Sequence, residues 1–162
     1  KTFIAALNEE LVFRFALLIL FLLILRMSNI QSMKPKHFHS FSFTSALIFS
    51  LVHTTTYINQ ANLFSTSKLE FTLFFISALV SAFAIGLYLN AVFLKTHDIV
   101  IITIIHASIN ICRSWFSILP FGNMKAFLLS FNIFSIIYFL SAIIILRKGF
   151  DIEKMGKTSA SF

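Results

Sequence analysis

The sequence predicts an all-α fold, a polytopic bundle of about five transmembrane helices, and three observations predict it. The chain of 162 residues is 58% hydrophobic and only 12% charged, whereas a soluble domain is nearer half apolar and a quarter charged. Its mean hydropathy is +0.91. Its apolar residues fall into runs of about 20, the length that one helix needs to cross a bilayer.

Five apolar runs give the predicted helices in order. The first carries a polar interruption in its first third, and the others are separated by polar connectors with Pro, Gly, Ser or charged residues. Because the first run begins next to Lys1, which is not a methionine, N-terminal sequence is expected to be missing. The predicted helices span residues 2–26, 41–59, 71–94, 99–119 and 125–146. The predicted connectors span residues 28–40, 60–70, 95–98 and 120–123.

Residues 1–146 are predicted to form one membrane domain, followed by a basic tail over residues 147–162. If the loop at 28–40 is cytoplasmic, eight lysines and arginines lie on that side and three on the other, which predicts a cytoplasmic C-terminus. The net charge of +7 then fits anionic lipid headgroups, and no basic-aromatic platform suggests nucleic acid. The expected surroundings are therefore membrane lipids, with no nucleic acid partner. The oligomeric state stays open.

Three clusters of chemically active side chains interrupt the apolar runs. Ionisable groups inside a bilayer are costly, and they usually face one another or a water-filled cavity. At 1.5 Å per residue, Glu9, His53 and Asn110 lie roughly 9 to 14 Å below the outer face, and His106 lies roughly 20 Å below it. This near agreement in depth predicts one site built from three helices. The clusters are Glu9, Glu10 and Arg14 on the first helix, Phe49 and His53 on the second, and His106 and Asn110 on the fourth.

The spacing within the first cluster assigns different roles to its two acids. Glu10 and Arg14 are four residues apart and share a helix face, so they can pair and lower the cost of both charges. Glu9 is turned about 100° away from Glu10. We therefore expect Glu9 to be the working carboxylate and the Glu10–Arg14 pair to be structural support.

The other two clusters supply the remaining groups of a hydrolytic site. A carboxylate beside His53 can hold and deprotonate a water, while His106 and Asn110, which share a helix face, can donate hydrogen bonds to a developing oxyanion. This arrangement suits hydrolysis of a peptide bond. The set of Glu9, His53 and His106 could instead bind zinc and activate its water. The residues alone leave both possibilities open.

Taken in order, the motifs EExxxR, FxxxH and HxxxN resemble those of the CPBP family of intramembrane proteases. This family, also called the Abi or CAAX-protease family, includes type II prenyl-protein endopeptidases and bacteriocin self-immunity proteins. The resemblance covers about residues 5–115. One departure is Phe15, which follows Arg14 where members often have a glycine.

The resemblance implies roles for the motif residues and a location in a bacterial cell membrane. It implies that Glu9 and His53 activate the water and that His106 and Asn110 stabilise the oxyanion. Glu10, Arg14 and Phe49 match the remaining motif positions as supporting residues. Metal dependence is left open. The prenyl-protein enzymes of the family act at the cytosolic face, whereas the charge distribution places this site towards the outer face, so a prenylated substrate is not assigned.

The predicted function is an intramembrane endopeptidase that cleaves a peptide or a membrane-protein substrate. One alternative is a non-catalytic immunity or regulatory protein that uses the same polar core to bind a peptide or a membrane partner. Another is a small transporter or proton-coupled subunit, which would also need buried acids and histidines. The enzyme requires its polar groups to converge on one water-sized space, and a transporter requires a continuous polar path.

Overall fold

A computed structural model describes the backbone of residues 2–28, 35–65, 67–118 and 124–147. Every regular element in these ranges is a helix, which confirms the all-α prediction for this part of the chain. A π-helical segment, Leu11–Ala16, joins the first two α-helices. The α-helices are α1 Thr2–Glu10, α2 Leu17–Met27, α3 Pro35–Val52, α4 Thr54–Phe64, α5 Lys68–Thr96, α6 Ile99–Ile118 and α7 Met124–Arg147.

The first predicted helix, over residues 2–26, is confirmed as a continuous rod but contains the unpredicted π-helical segment. Glu10, Ala16 and Leu17 all have right-handed helical backbone angles, so the chain does not break there. The amide of Leu17 donates to the carbonyl of Val12, five residues back. This is the hydrogen bond of a π-helix, which often marks a functional site.

The second predicted helix, over residues 41–59, is wrong at both ends and in its continuity. The helical rod runs from Pro35 to Phe64 and is divided into α3 and α4 at His53. The amide of His53 bonds to the carbonyl of Ser50, three residues back, at 3.2 Å. The prediction placed the helix ends where polar residues begin, but polar composition marks only where the apolar stretch stops. The helix begins at Pro35, and proline is well suited to the first turn of a helix.

The three remaining helices agree with their predictions to within three residues. α5 starts earlier than expected because the Ser67 hydroxyl accepts a hydrogen bond from the amide of Glu70 at 3.2 Å, which caps the helix. It ends at His97, whose backbone is left-handed with φ 54°. The carboxylate of Asp98 then accepts from the amide of Val100 at 2.7 Å and begins α6. The predicted turn at 120–123 and residues 148–162 of the predicted tail lie outside the described residues.

α5 is the central helix, and it packs against α3, α4, α6 and α7, while α1 packs against α6. A cluster of buried side chains joins the first helical rod to α3, α4 and α5, with Phe13, Phe49, Tyr57 and Phe74 at its centre. This packing brings α1, the junction of α3 with α4, and α6 to a common region. The three predicted polar clusters lie on these three elements.

Within the described residues, α5 is the one helix that is both long enough and apolar enough to cross a membrane, and an 18-residue stretch of it has a mean hydropathy of 2.1. Two further apolar stretches, Ile99–Cys112 in α6 and Asn132–Arg147 in α7, are shorter. The helices therefore establish the fold class, while the predicted bundle of about five membrane-crossing helices stays a prediction.

Candidate active site

Glu9 lies at the centre of a group of three side chains from α1, the α3–α4 junction and α6. Its Oε2 atom is 3.5 Å from Nε2 of His53 and 3.6 Å from Nε2 of His106. The side chains of Glu9 and His53 are 31% and 23% exposed, whereas that of His106 is 3% exposed. The side chains of Glu9 and His53 are thus partly accessible, whereas His106 and the converging Oε2 atom of Glu9 are enclosed.

The orientation of His53 follows from the break in the helix. Its Nδ1 lies 2.8 Å from the carbonyl oxygen of Phe49, and a carbonyl only accepts, so Nδ1 carries the hydrogen. In an unbroken α-helix the amide of His53 would donate to that same carbonyl. The ring replaces the amide as donor, and Nε2 is left facing Glu9.

His106 is oriented by a second carboxylate. Its Nδ1 lies 2.7 Å from Oε1 of Glu10, and both side chains are buried. Because an ionised carboxylate accepts, Nδ1 carries the hydrogen and Nε2 faces Glu9. The role predicted for Glu10 is therefore incomplete, since this residue contacts Arg14 and also fixes the ring of His106.

Glu10 and Arg14 form a fully buried ion pair, with Nε of Arg14 3.2 Å from Oε2 of Glu10. The contact has the distance of an ion pair but not the alignment of a hydrogen bond, and within the described residues none of the three guanidinium nitrogens has a hydrogen-bond partner. The guanidinium carbon lies 5.2 Å from the centre of the Phe49 ring. The charge of Arg14 is thus stabilised by the opposite charge of Glu10 and by a cation–π contact with Phe49.

Phe49 is the aromatic platform on which the site is assembled. Its ring centre is 4.5 Å from that of His53, 5.7 Å from that of His106 and 5.2 Å from that of Phe13. Edge-on and tilted contacts of this kind fix the planes of the rings. Phe49 therefore explains why an aromatic residue stands one helical turn before His53.

The hydrogen bonds on Nδ1 have a chemical consequence for the space between Glu9, His53 and His106. When both imidazoles are neutral, each presents the lone pair of Nε2 to the carboxylate, so three acceptors face one another. Acceptors at 3.5 and 3.6 Å repel unless a hydrogen lies between them. The Oε2 atom of Glu9 is itself buried and has no hydrogen-bond partner among the described residues. A water molecule admitted to this space would satisfy it, because water can donate its two hydrogens to two of the acceptors.

Asn110 lies one helical turn after His106 on α6 and is partly buried, so the two side chains share a face. The contact of His106 with Glu9 differs from the predicted depths, which separate these residues by roughly 10 Å. The estimate measured depth from the end of each helix. It makes no allowance for helix tilt or for helix ends at different depths.

Tyr57 was not predicted as part of the site. Its buried ring stacks on that of His53, with centres 6.0 Å apart and an interplanar angle of 26°. Together with Phe49 it flanks the imidazole. The spacing of four residues between His53 and Tyr57 was the available signal, since such pairs face each other on a helix.

The zinc alternative depends on whether Glu9, His53 and His106 are arranged so that they can share one ion. Within the described ranges, no group of three His, Cys, Asp or Glu side chains is arranged so that it could hold a metal ion. This applies to the set of Glu9, His53 and His106 that the sequence suggested.

The comparison with protein families decides what kind of protein carries this site. A family model described as type II CAAX prenyl endopeptidase Rce1-like matches residues 1–112. The chain belongs to this family. The match covers all three motifs, from Glu9 to Asn110, and the resemblance to CAAX proteases is confirmed at the level of the family.

Membership establishes coarse properties of this Rce1-like chain. The family is a family of proteases and is membrane-associated, so a peptidase of the membrane is the class to which the chain is assigned. No curated protein and no solved structure gives a match. The assignment of roles to single residues depends on the geometry of the site.

Proposed function

We propose that this Rce1-like chain is an intramembrane endopeptidase that hydrolyses a peptide bond with a water held by Glu9 and His53. The observation that carries the proposal is the convergence of Glu9 Oε2 with the Nε2 atoms of His53 and His106 at 3.5 and 3.6 Å. These residues come from three separate segments of the chain, and the Nδ1 atoms of the two histidines are held by the Phe49 carbonyl and by Glu10.

Several features support a polytopic membrane protein. α5 contains an apolar stretch of 18 residues. The rod of residues 2–27 is roughly 35 to 40 Å long, which exceeds the hydrocarbon core of about 30 Å. Large apolar side chains are exposed on α2, α3, α6 and α7, and soluble proteins rarely expose such continuous apolar surface. We propose that membrane lipids cover these faces. Representative exposed side chains are Leu20, Leu23, Leu47, Ile104, Ile137 and Leu140.

The first step activates the water. Glu9 accepts one hydrogen of the water and His53 accepts the other at Nε2, which orients the oxygen lone pair towards the substrate carbonyl. The oxygen attacks the carbonyl carbon while one proton passes to the Glu9 carboxylate. General-base catalysis of this kind typically contributes about 10² to 10⁴ in rate.

The second step stabilises the oxyanion and breaks the bond. His106 takes up a proton from solvent at Nε2 before the attack, so that its imidazolium, held by Glu10, donates this hydrogen to the oxyanion. The side-chain amide of Asn110 donates a second hydrogen bond. Glu10 stays hydrogen-bonded to Nδ1 and holds the ring in place. The tetrahedral intermediate then collapses, the C–N bond breaks, and the Glu9 carboxyl group returns its proton to the leaving amine.

The open side of the site indicates how a substrate approaches. Glu9 and His53 are partly exposed while His106 is buried, so a peptide reaches the water from the side of α1 and the α3–α4 junction. Only an extended segment presents its carbonyl to a recessed site, because helical carbonyls are occupied by their own hydrogen bonds. We propose an extended peptide or membrane-protein segment as the substrate.

The experiment is cleavage of a membrane-peptide library by the purified protein and by Glu9→Ala, His53→Ala and Glu70→Gln. Glu70 is a matched acid in the first turn of α5, outside the site. Cleavage that is lost in the first two variants and kept in Glu70→Gln supports the proposal. Cleavage that persists in folded Glu9→Ala and His53→Ala rules out this site. If no form cleaves any peptide and Glu9→Ala still binds a peptide, the alternative of a non-catalytic binding protein is favoured instead.

A further inference from the structure

The carbonyl of Phe13 has an unusual hydrogen-bond partner. In an α-helix it would accept from the amide of Leu17, but that amide donates to Val12 instead. The hydroxyl of Ser45 on α3 donates to the Phe13 carbonyl at 2.7 Å, and the contact is buried. A side chain from another helix thus occupies the acceptor that the π-helical segment releases.

Behind Ser45 lies a second polar residue, Asn90 of α5, which is fully buried. Its side-chain amide donates to the carbonyl of Ser42 at 2.9 Å. Its Oδ1 atom lies 3.5 Å from the hydroxyl of Ser45, the limit of a hydrogen bond. Because a hydroxyl has one hydrogen, the shorter contact to Phe13 takes it, and Asn90 confines Ser45 from the other side.

The close approach of α3 and α5 makes this contact geometrically feasible. A Cβ atom added to Gly86 would lie 3.1 Å from the Cα atom of Ala46, so the two backbones nearly touch there. Asn90 follows Gly86 by one turn and Ser42 precedes Ala46 by one turn, which brings Asn90 and Ser42 together in antiparallel helices. Polar contacts between closely packed helices are a recurring means of fixing helices in a membrane.

The π-helical segment determines which way the two acids face. Each residue of an α-helix advances about 100°, so an α-helix without the extra residue would turn Glu9 and Glu10 by about that angle relative to α2. The carboxylates would then leave the histidines. An interaction that stabilises the π-helical segment therefore also fixes the orientation of Glu9 and Glu10.

We propose that Ser45, supported by Asn90, is a positioning residue that holds the π-helical segment and thereby sets Glu9 and Glu10 opposite His53 and His106. Its effect on catalysis rests on the proposed function. Its effect on the position of Glu10 does not, because the hydrogen bond between Glu10 and His106 can be observed without any substrate.

The test compares Ser45→Ala with Ser50→Ala in the full chain. Ser50 is a matched control, because its hydroxyl also donates from α3 to a backbone carbonyl of another helix. The acceptor is the carbonyl of Leu79 in α5, at 2.8 Å. This bond does not involve the π-helical segment. The structural readout is the ¹H and ¹⁵N resonance of His106 Nδ1–H in detergent. The kinetic readout is kcat and KM on a cleaved peptide, and melting temperature reports stability.

We expect Ser45→Ala to shift the His106 resonance and to lower kcat about tenfold, with KM nearly unchanged. Ser50→Ala should lower the melting temperature by a similar amount but should change neither the His106 resonance nor kcat. Ser45→Thr, which restores the hydroxyl, should recover the resonance. An unchanged resonance and kcat in Ser45→Ala would overturn the proposal. If Ser45→Ala does not fold, Ser45→Cys keeps the volume with a weaker donor and is judged by the same readouts. A shifted resonance in a protein that cleaves nothing would support the positioning role and reject the enzyme.

Discussion

Glu10 uses its two carboxylate oxygens for different partners, Oε1 for His106 at 2.7 Å and Oε2 for Arg14 at 3.2 Å. All three side chains are buried or nearly so. At the scale of the residue, this makes Glu10 the link between a buried charge pair and the histidine that faces Glu9. Removing one partner of such a buried pair leaves the other charge uncompensated.

The first prediction concerns this pair. Arg14→Met should lower the free energy of unfolding by about 3 to 5 kcal/mol, because Glu10 is left buried without its counter-charge. The double variant Glu10→Gln with Arg14→Met should recover part of that loss. A double-mutant cycle measured by denaturant titration in detergent checks both statements. Purely additive losses would show that the pair is not coupled.

The sequence predicts which side chains come together better than it predicts the contacts of each one. Spacing alone separates Glu9 from Glu10 by about 100°, and it correctly pairs Glu10 with Arg14. It does not reveal the bond from Glu10 to His106, since the partners are 96 positions apart and only the packing of α1 against α6 brings them together. The catalytic roles of Glu9, His53, His106 and Asn110 stay predictions until cleavage is measured.

At the scale of the element, two irregularities in the helices position the residues of the site. The π-helical segment follows Glu9 and Glu10 directly, and the break between α3 and α4 falls at His53. Hydropathy finds apolar runs and so predicts the helices, but both irregularities occur inside such runs and leave the composition unchanged. Side chains replace backbone donors at both places: Ser45 from another helix at the first, and the ring of His53 itself at the second. The hydropathy of a segment does not reveal such replacements.

The second prediction concerns the seam between α3 and α5. Gly86→Leu should separate the two helices, because even a Cβ atom there would lie 3.1 Å from the Ala46 backbone, and the expected loss is about 1 to 3 kcal/mol or more of unfolding free energy. Val80→Leu on the exposed face of the same helix is the control and should change stability by less than about 0.5 kcal/mol. Equal effects of the two variants would argue against a close seam.

At the scale of the whole molecule, the orientation in the membrane is a proposal that follows from charge. Eight of the basic residues fall on the predicted cytoplasmic side and three on the other, which places the C-terminus in the cytoplasm. Glu9 and His53 then lie in the outer half of the bilayer. The orientation therefore decides from which side a substrate segment reaches the site.

The third prediction tests this orientation with single cysteines in a Cys112→Ser background. Asn62→Cys in α4 should react with a membrane-impermeant thiol reagent in intact cells, because the connector after α4 is predicted to face outwards. Ser28→Cys, after α2, should react only once the membrane is permeabilised. Both positions are exposed, so accessibility reports the side of the membrane. The reverse pattern would place the C-terminus outside.

The most direct test of the account is a single-turnover cleavage measurement on Glu9→Gln with a peptide that the wild-type protein cleaves, alongside binding of the same peptide. Gln has nearly the same shape as Glu but cannot accept the proton of the water. We expect binding within about twofold of wild type and a cleavage rate at least about 10²-fold lower. A cleavage rate equal to that of wild type would contradict the account, because the water would then be activated by another group.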